Sequence, residues 1–350
     1  MTKPATSVDR LASLRGRLER RAGGPLRIAI VNNMPDAALR STERQFCALL
    51  ASASAGMVVK LRFYAAPGIV RSDTARAHIA ACYEDFATLE HEKPHGLIVT
   101  GAEPKSASLE DEPFWPSLAR LVDWTEAEEI PALWSCLAAH AAVLRADGIA
   151  RLPLPRKLSG VFACTTEADK HQLLHRVPRI VSMPHSRRHG LDRKSLQAQG
   201  YTILSRSAAA GVDMFCKQGP ALQLYWQGHP EYDAGTLLAE YRRDVIRSVI
   251  SGQTPPPAPP SGLMTNQAAS ALRGVVDGLC RSGGLDDLPA LDKALAGHRP
   301  QGGWISPTRH IVSNWLAYLD VQRGSAATHS QPMLAPHVSE TGRARVRSAG

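Results

Sequence analysis

The sequence predicts an α/β fold: a mostly parallel sheet flanked by helices, with a helical extension at the C-terminal end. Three observations carry that expectation. Short apolar runs recur between longer stretches of helical character, which is the pattern of strands joined by crossover helices. The run GLIVT (96–100) is apolar throughout, as a strand covered on both faces should be. Hydrophobic residues make up 44% of the 350, enough for a sizeable core at this length.

The elements follow in order. LRIAIV (26–31) is a strand ending at Asn32-Asn33-Met34-Pro35, and a helix opened by Ser41 or Thr42 should run through Ala51. KLRFY (60–64) is the next strand, followed by a polar helical stretch through Leu89 and by GLIVT. A helix near 116–129 leads to the strand PALWS (131–135), which runs into the small-residue helix LAAHAAVLRA (137–146). Leu152-Pro153-Leu154-Pro155 reads as an extended loop, because proline lacks a ladder donor. YTILS (201–205) and ALQLYW (221–226) read as sheet-edge strands or a hairpin, and 234–251 as a helix. The prolines of 255–260 look like a spacer, 264–281 and the segment ending at 314–319 look helical, and 323–350 has too little apolar content to fold. The expected organisation is therefore a basic N-terminal segment (1–24), a catalytic-type domain (25–252), a proline-rich spacer with a helical extension (253–322) and a disordered tail (323–350).

The formal charge of +9 suggests nucleic acid until its location is considered. Residues 1–24 carry +4 and 323–350 carry +3, leaving +2 for everything between. Charge on flexible ends is spread out and screened by salt, so a nucleic-acid partner is not expected. No helix-turn-helix spacing, zinc pattern or aromatic-basic RNA motif supports one. The longest strongly apolar, uncharged stretch, 133–144, is too short to span a bilayer, and the N-terminus has charges where a signal peptide needs apolar residues. A cytoplasmic protein with no membrane partner is expected. Six cysteines lie far apart without a C-x-x-C pair, so neither a metal site nor a disulfide framework is indicated.

Cys136 stands apart by position, between the strand PALWS and a small-residue helix. A sharp strand-to-helix turn exposes a nucleophile at the carboxyl end of a parallel sheet, and a helix N-terminus favours a thiolate. A cysteine among apolar residues is otherwise a core residue. The second constellation is Gly228-His229-Pro230-Glu231-Tyr232-Asp233, after ALQLYW and before a helix. An imidazole there can serve as general base for a thiol, and a carboxylate two residues on can orient it. The bland alternative is a turn with a capping Asp. Cys136, His229 and Glu231, in that order on a parallel sheet, form a triad arrangement.

From Arg27 to Asp244 the residues resemble the homoserine O-acyltransferases of the class I glutamine amidotransferase-like superfamily, with flavodoxin-like architecture. The motifs arrive in family order: Asn32-Asn33-Met34-Pro35 with Thr42-Glu43-Arg44-Gln45, GLIVTGA (96–102), Cys136, Pro153-Leu154-Pro155-Arg156-Lys157, Pro184-His185-Ser186-Arg187, His229-Pro230-Glu231-Tyr232-Asp233 and Arg243-Asp244, with a fainter echo at Asn314-Trp315-Leu316. The resemblance implies that Cys136 takes an acyl group from acyl-CoA as a thioester, with His229 as base and Glu231 orienting it. The group then passes to the hydroxyl of homoserine by a ping-pong route, as a step of methionine synthesis. It implies backbone N–H groups of Leu137, Gly101 and Ala102 as oxyanion donors, Arg243 on the amino-acid carboxylate, and Lys157 and Ser186 in the substrate pocket. No bound cofactor is implied beyond the co-substrate, succinyl-CoA or acetyl-CoA, and a homodimer is left open.

Departures concern the substrate more than the reaction. Leu137-Ala138 stands where the family has Trp-Gly, and Asp36 where a lysine is expected. Without gaps, Lys105 falls at the position that separates acetyl from succinyl donors, and a cation there would pair with a succinyl carboxylate, so succinyl is the expected donor. The alternatives are an acetyl donor, serine as acceptor, a glutamine amidotransferase-like hydrolase using the same three residues, and a non-catalytic basic binding protein.

Overall fold

The computed structural model describes residues 24–252, 255–282, 287–298 and 302–329. The N-terminal segment expected at 1–24 lies outside them except for Gly24, as does 330–350 of the expected tail.

Nine strands form one mixed sheet in the order β2-β1-β3-β4-β9-β8-β7-β5-β6. β1 (Leu26–Val31), β2 (Val59–Tyr64), β3 (Gly96–Val99), β4 (Ala132–Ser135) and β9 (Leu222–Trp226) are mutually parallel. β8 (Gly211–Gln218), β7 (Thr202–Ser207), β5 (Leu152–Thr166) and β6 (Ile180–Gly190) continue it antiparallel. Alternation within β1 explains the two covered faces. Leu26, Ile28 and Ile30 enter one core with Phe46 and Leu50 of α1 (Asp36–Ala53), whereas Ala29 and Val31 enter the other with α4 (Trp115–Ala127) and α5 (Leu137–Asp147).

Four expectations need correction. α1 starts at Asp36, ahead of Ser41 and Thr42, because extended Pro35 ends the preceding turn and Asp36 suits the positive helix end. Residues 152–155 are strand, not loop: Leu152 and Pro153 pair with Gly190 and His189, and an irregularity before Leu158 absorbs the prolines. β6 was hidden by Pro184 and a charged run, and β8 by buried Asp213 in its interior. ALQLYW is not an edge but β9, at the centre, where its five buried residues fit.

The C-terminal part is built into the domain. α10 (Ile305–His329) places Trp315, Leu316 and Leu319 in the core shared by β1 and α1, and it reaches seven residues into the segment expected to be disordered. Gly96 leaves room for it, since a Cβ there would lie 2.6 Å from Leu319. α8 (Asn266–Ser282) and α9 (Leu288–Ala296) form a satellite cluster with α7 (Thr236–Ser251). The proline run is docked rather than free: Pro259 and Pro260 are buried, and Ser261 donates to the Ser159 carbonyl (2.9 Å) and accepts from Val161 N–H (2.8 Å). Among the described residues no helix is long and apolar enough to cross a membrane.

Candidate active site

Two adjacent parallel strands bring the site together. Ser135 at the end of β4 is in register with Trp226 at the end of β9. Cys136 is one residue beyond the first strand and His229 three beyond the second, so both lie at the carboxyl edge of the sheet, where α/β enzymes bind ligands. Cys136 N–H donates to the Trp226 carbonyl at 2.6 Å, tying the two strand ends directly. The Cys136 backbone sits at φ 52°, ψ −114°, a conformation L-residues rarely hold, and forms the sharp bend into α5. Fully buried Ala138 and Ala139 allow that bend, which aims the thiol away from the core at the positive end of a helix.

His229 is buried, and its Nδ1–H donates to Glu231 Oε1 at 2.9 Å. Its N–H donates to the Pro184 carbonyl (2.8 Å), and its ring stacks on Tyr232 with centroids 4.2 Å apart. Burial opposes a charge on His229. The Cys136 sulfur and the Glu231 carboxylate, each through charge and hydrogen bonding, outweigh burial and hold the imidazole pKa well above its usual range. The His229 imidazole thus stands between the Cys136 sulfur and the Glu231 carboxylate, both of which favour its protonated form. Tyr232 is fixed in turn by Glu240 Oε1 (2.8 Å from its hydroxyl) and by buried Trp304, whose Nε1–H donates to the Tyr232 carbonyl (2.9 Å).

A cavity of about 320 Å³ opens over Cys136 and His229. Gly101, Ala102 and Leu137 line it, and no hydrogen bond engages their N–H groups among the described residues. Gly101 has to be small, since a Cβ would meet Leu137 N at 3.1 Å. Lys157, Ser186 and Arg243 also line it, with Lys157 Nζ 2.6 Å and Arg243 Nη2 2.9 Å from the same Asp244 carboxylate. Lys105 is not brought to the site. Its side chain is exposed and outside the cavity lining, because the Lys105 and Ser106 N–H groups both bond buried Glu112 at 2.5 Å and fix the loop. Asp36, where a lysine was expected, faces Arg71 and Ser72 instead. The cations that sequence reasoning missed are Arg151 and Arg188, which do line the cavity and had no motif to announce them.

Behind His229 lies a sealed polar layer. His185 Nε2 is 3.3 Å from Asp213 Oδ1, and Ser205 Oγ donates to Asp213 Oδ2 (2.6 Å). Cys164, His185 and Asp213 place one ligand-type atom each within 4.8 Å of one another, the one set among the described residues with the donor chemistry for a metal ion. Gly228 is required beside it: a Cβ would lie 2.7 Å from Asp213 Oδ1. Arg187 spans the layer, donating to the His189 carbonyl (2.5 Å), the Ala210 carbonyl and His185 Nδ1.

His140 of α5 donates from Nε2 to Gln227 Oε1 at 2.9 Å, and burial pushes its pKa down to about 3. The unfolded chain binds a proton near pH 6.5 that the folded chain refuses, so this group costs stability as pH falls from about 6.5 towards 3, and nothing above that. The slope is about 1.4 kcal/mol per pH unit. Urea midpoints measured from pH 7 to pH 4 should fall less steeply for His140→Gln than for the parent; equal slopes would refute the assignment.

Comparison with known proteins places the chain in a family. The homoserine O-succinyltransferase family model (HTS) matches residues 14–326. The chain is 43% identical over 305 residues to the homoserine O-succinyltransferase of Methylorubrum extorquens, covering 86% of this chain and 89% of that one. It is 40% identical over 306 residues to that of Bradyrhizobium japonicum, covering 86% and 93%. Among solved structures, a glutamine amido transferase from Methylobacillus flagellatus is 14% identical, with a TM-score of 0.48 over 84% of this chain and 94% of that one. With the family model spanning nearly the whole chain and relatives matched along most of their length, the chain belongs to the homoserine O-succinyltransferase family.

Proposed function

We propose that the protein transfers a succinyl group from succinyl-CoA to the hydroxyl of homoserine through a thioester on Cys136. The observation that carries this reading is the Cys136–His229–Glu231 alignment under a cation-lined cavity. In the first half, the Cys136 thiolate attacks the thioester carbonyl, and the oxyanion is met by the free N–H groups of Leu137 and the Gly101-Ala102 turn. The tetrahedral adduct collapses, the C–S bond to CoA breaks, and the CoA sulfur takes the proton from His229. In the second half, His229 removes the hydroxyl proton of homoserine as its oxygen attacks the Cys136 thioester. Collapse releases O-succinylhomoserine and restores the thiolate–imidazolium pair. Arg243 suits the homoserine carboxylate, since its planar fork offers parallel charge-assisted bonds. Free thiols at all six cysteines suit a reducing, cytoplasmic compartment.

The deciding experiment incubates the protein with homoserine or serine and with succinyl-CoA or acetyl-CoA, and follows CoA release. Release with succinyl-CoA and homoserine supports the reading; no release with any pair refutes it.

Arg151 is the better partner for the succinyl carboxylate than Lys105. It lines the cavity, and its Nη2 donates to a backbone carbonyl, Ala107 O at 3.1 Å. Loss of a charge-assisted bond costs about 1.5–3 kcal/mol, or roughly 10- to 100-fold. Arg151→Gln should therefore reduce kcat/KM for succinyl-CoA by about that factor and spare acetyl-CoA, while Lys105→Gln leaves the ratio of the two donors unchanged. A donor ratio that moves with Lys105 and not with Arg151 reverses the assignment.

A further inference from the structure

A second cavity, of about 710 Å³, adjoins the catalytic one and shares Glu103, Lys157, Arg188 and Arg243 with it. Arg156 and Arg247 line it as well, together with the proline segment 255–258. Five cations thus surround it against the carboxylates of Glu103 and Asp244. Those two are already engaged: Asp244 holds Lys157 and Arg243, and Glu103 holds Arg247 at 2.6 Å. Arg156 and Arg188 are exposed and have no acidic partner among the described residues. The surplus of positive charge faces the cavity unneutralised.

The proline segment that lines it is stiff. Proline fixes φ, so the segment loses little entropy when a ligand packs on it. Its downstream end is anchored to β5 by the Ser261 hydrogen bonds, and the approach is close enough that a Cβ on Gly160 (φ 148°) would lie 2.3 Å from the Ser261 carbonyl oxygen. The cavity is therefore lined both by prolines and by unneutralised guanidinium groups, and it shares four lining residues with the cavity over Cys136.

We propose that this second cavity binds the phosphate-bearing end of the CoA donor, with the acyl thioester reaching Cys136 through the shared wall. The inference rests on the donor being an acyl-CoA. Guanidinium forks match phosphate oxygens, and the proline faces cover the apolar arm and the base. Lys157 and Arg243 serve both cavities without conflict, because ping-pong order releases CoA before the amino acid binds.

The test compares succinyl-CoA with succinyl-N-acetylcysteamine, the same thioester without nucleotide or phosphates, on the full chain and on Arg156→Gln, whose residue lines only the second cavity. The substitution should lower kcat/KM for succinyl-CoA about tenfold and leave the short donor unchanged, and added salt should weaken only succinyl-CoA. Equal losses on both donors, or no loss on succinyl-CoA, overturn the proposal. If the parent turns over both donors with the same kcat/KM, this site is wrong while the acyltransferase reading stands. No turnover of either donor sinks both.

Discussion

Cys136→Ala should abolish succinyl transfer, by at least about 10⁴-fold in kcat, if Cys136 holds the acyl chain between the two half-reactions as proposed. The parent protein, exposed briefly to succinyl-CoA without acceptor, should gain one succinyl mass on the peptide carrying Cys136, and the variant none. An adduct on one of the other five cysteines would move the nucleophile. Of these, Cys47, Cys164 and Cys216 are buried, and burial drives the Cys164 and Cys216 thiols far towards the neutral form. The backbone adds a second readout. A residue held at φ 52° costs about 1–3 kcal/mol unless it is glycine. Cys136→Gly is therefore expected to be inactive yet more resistant to heat than Cys136→Ala.

His229→Asn should lower kcat by about 10²–10⁴-fold in both half-reactions, since the proposed mechanism has one imidazole move the proton in each. The electrostatics make a sharper prediction. In the free enzyme two interactions raise the His229 pKa against its burial, that with the Cys136 sulfur and that with Glu231. Forming the thioester removes the first of them. Burial then counts for more, the imidazole pKa falls, and a neutral base appears only once there is an acyl group to transfer. NMR of the labelled imidazole should show His229 titrating at lower pH in Cys136→Ala, which lacks the sulfur, than in the parent. Identical titration in the two proteins would break the link between acylation and base strength. Because the folded pKa is raised, the stability contributed by the ion pair is present below pH 6.5 and lost as pH climbs through the higher folded value.

Most of the parallel half of the molecule was legible in the sequence because its strands are largely apolar and its turns are punctuated. LRIAIV, GLIVT and PALWS became β1, β3 and β4 for that reason, and Cys136 was found because it stands where a strand turns into a helix. The antiparallel half was legible only at β7, read from YTILS. β5 and β6 are ribbons whose registers tolerate Pro153, Pro155 and Pro184, and whose buried positions include His185 and Arg187. Those residues satisfy each other across the fold, and a one-dimensional pattern cannot record such pairing. Lys105 shows the converse. An ungapped position was legible, but the Glu112 hydrogen bonds that fix its loop were not. Trp304 belonged to no motif, and only the folded chain brings its indole to the Tyr232 carbonyl.

The pairing of β4 with β9 has a consequence for how the enzyme fails. Loop-borne catalytic groups drift apart through small local openings, long before a domain melts. Here the nucleophile and base hang from neighbouring strands in the middle of a nine-stranded sheet, laced together by the Cys136–Trp226 hydrogen bond. Separating them requires unzipping the part of the molecule whose amides should be slowest to exchange with deuterium. Catalysis and the cooperative fold are thus one unit, and activity should vanish at the same denaturant concentration as the structure itself.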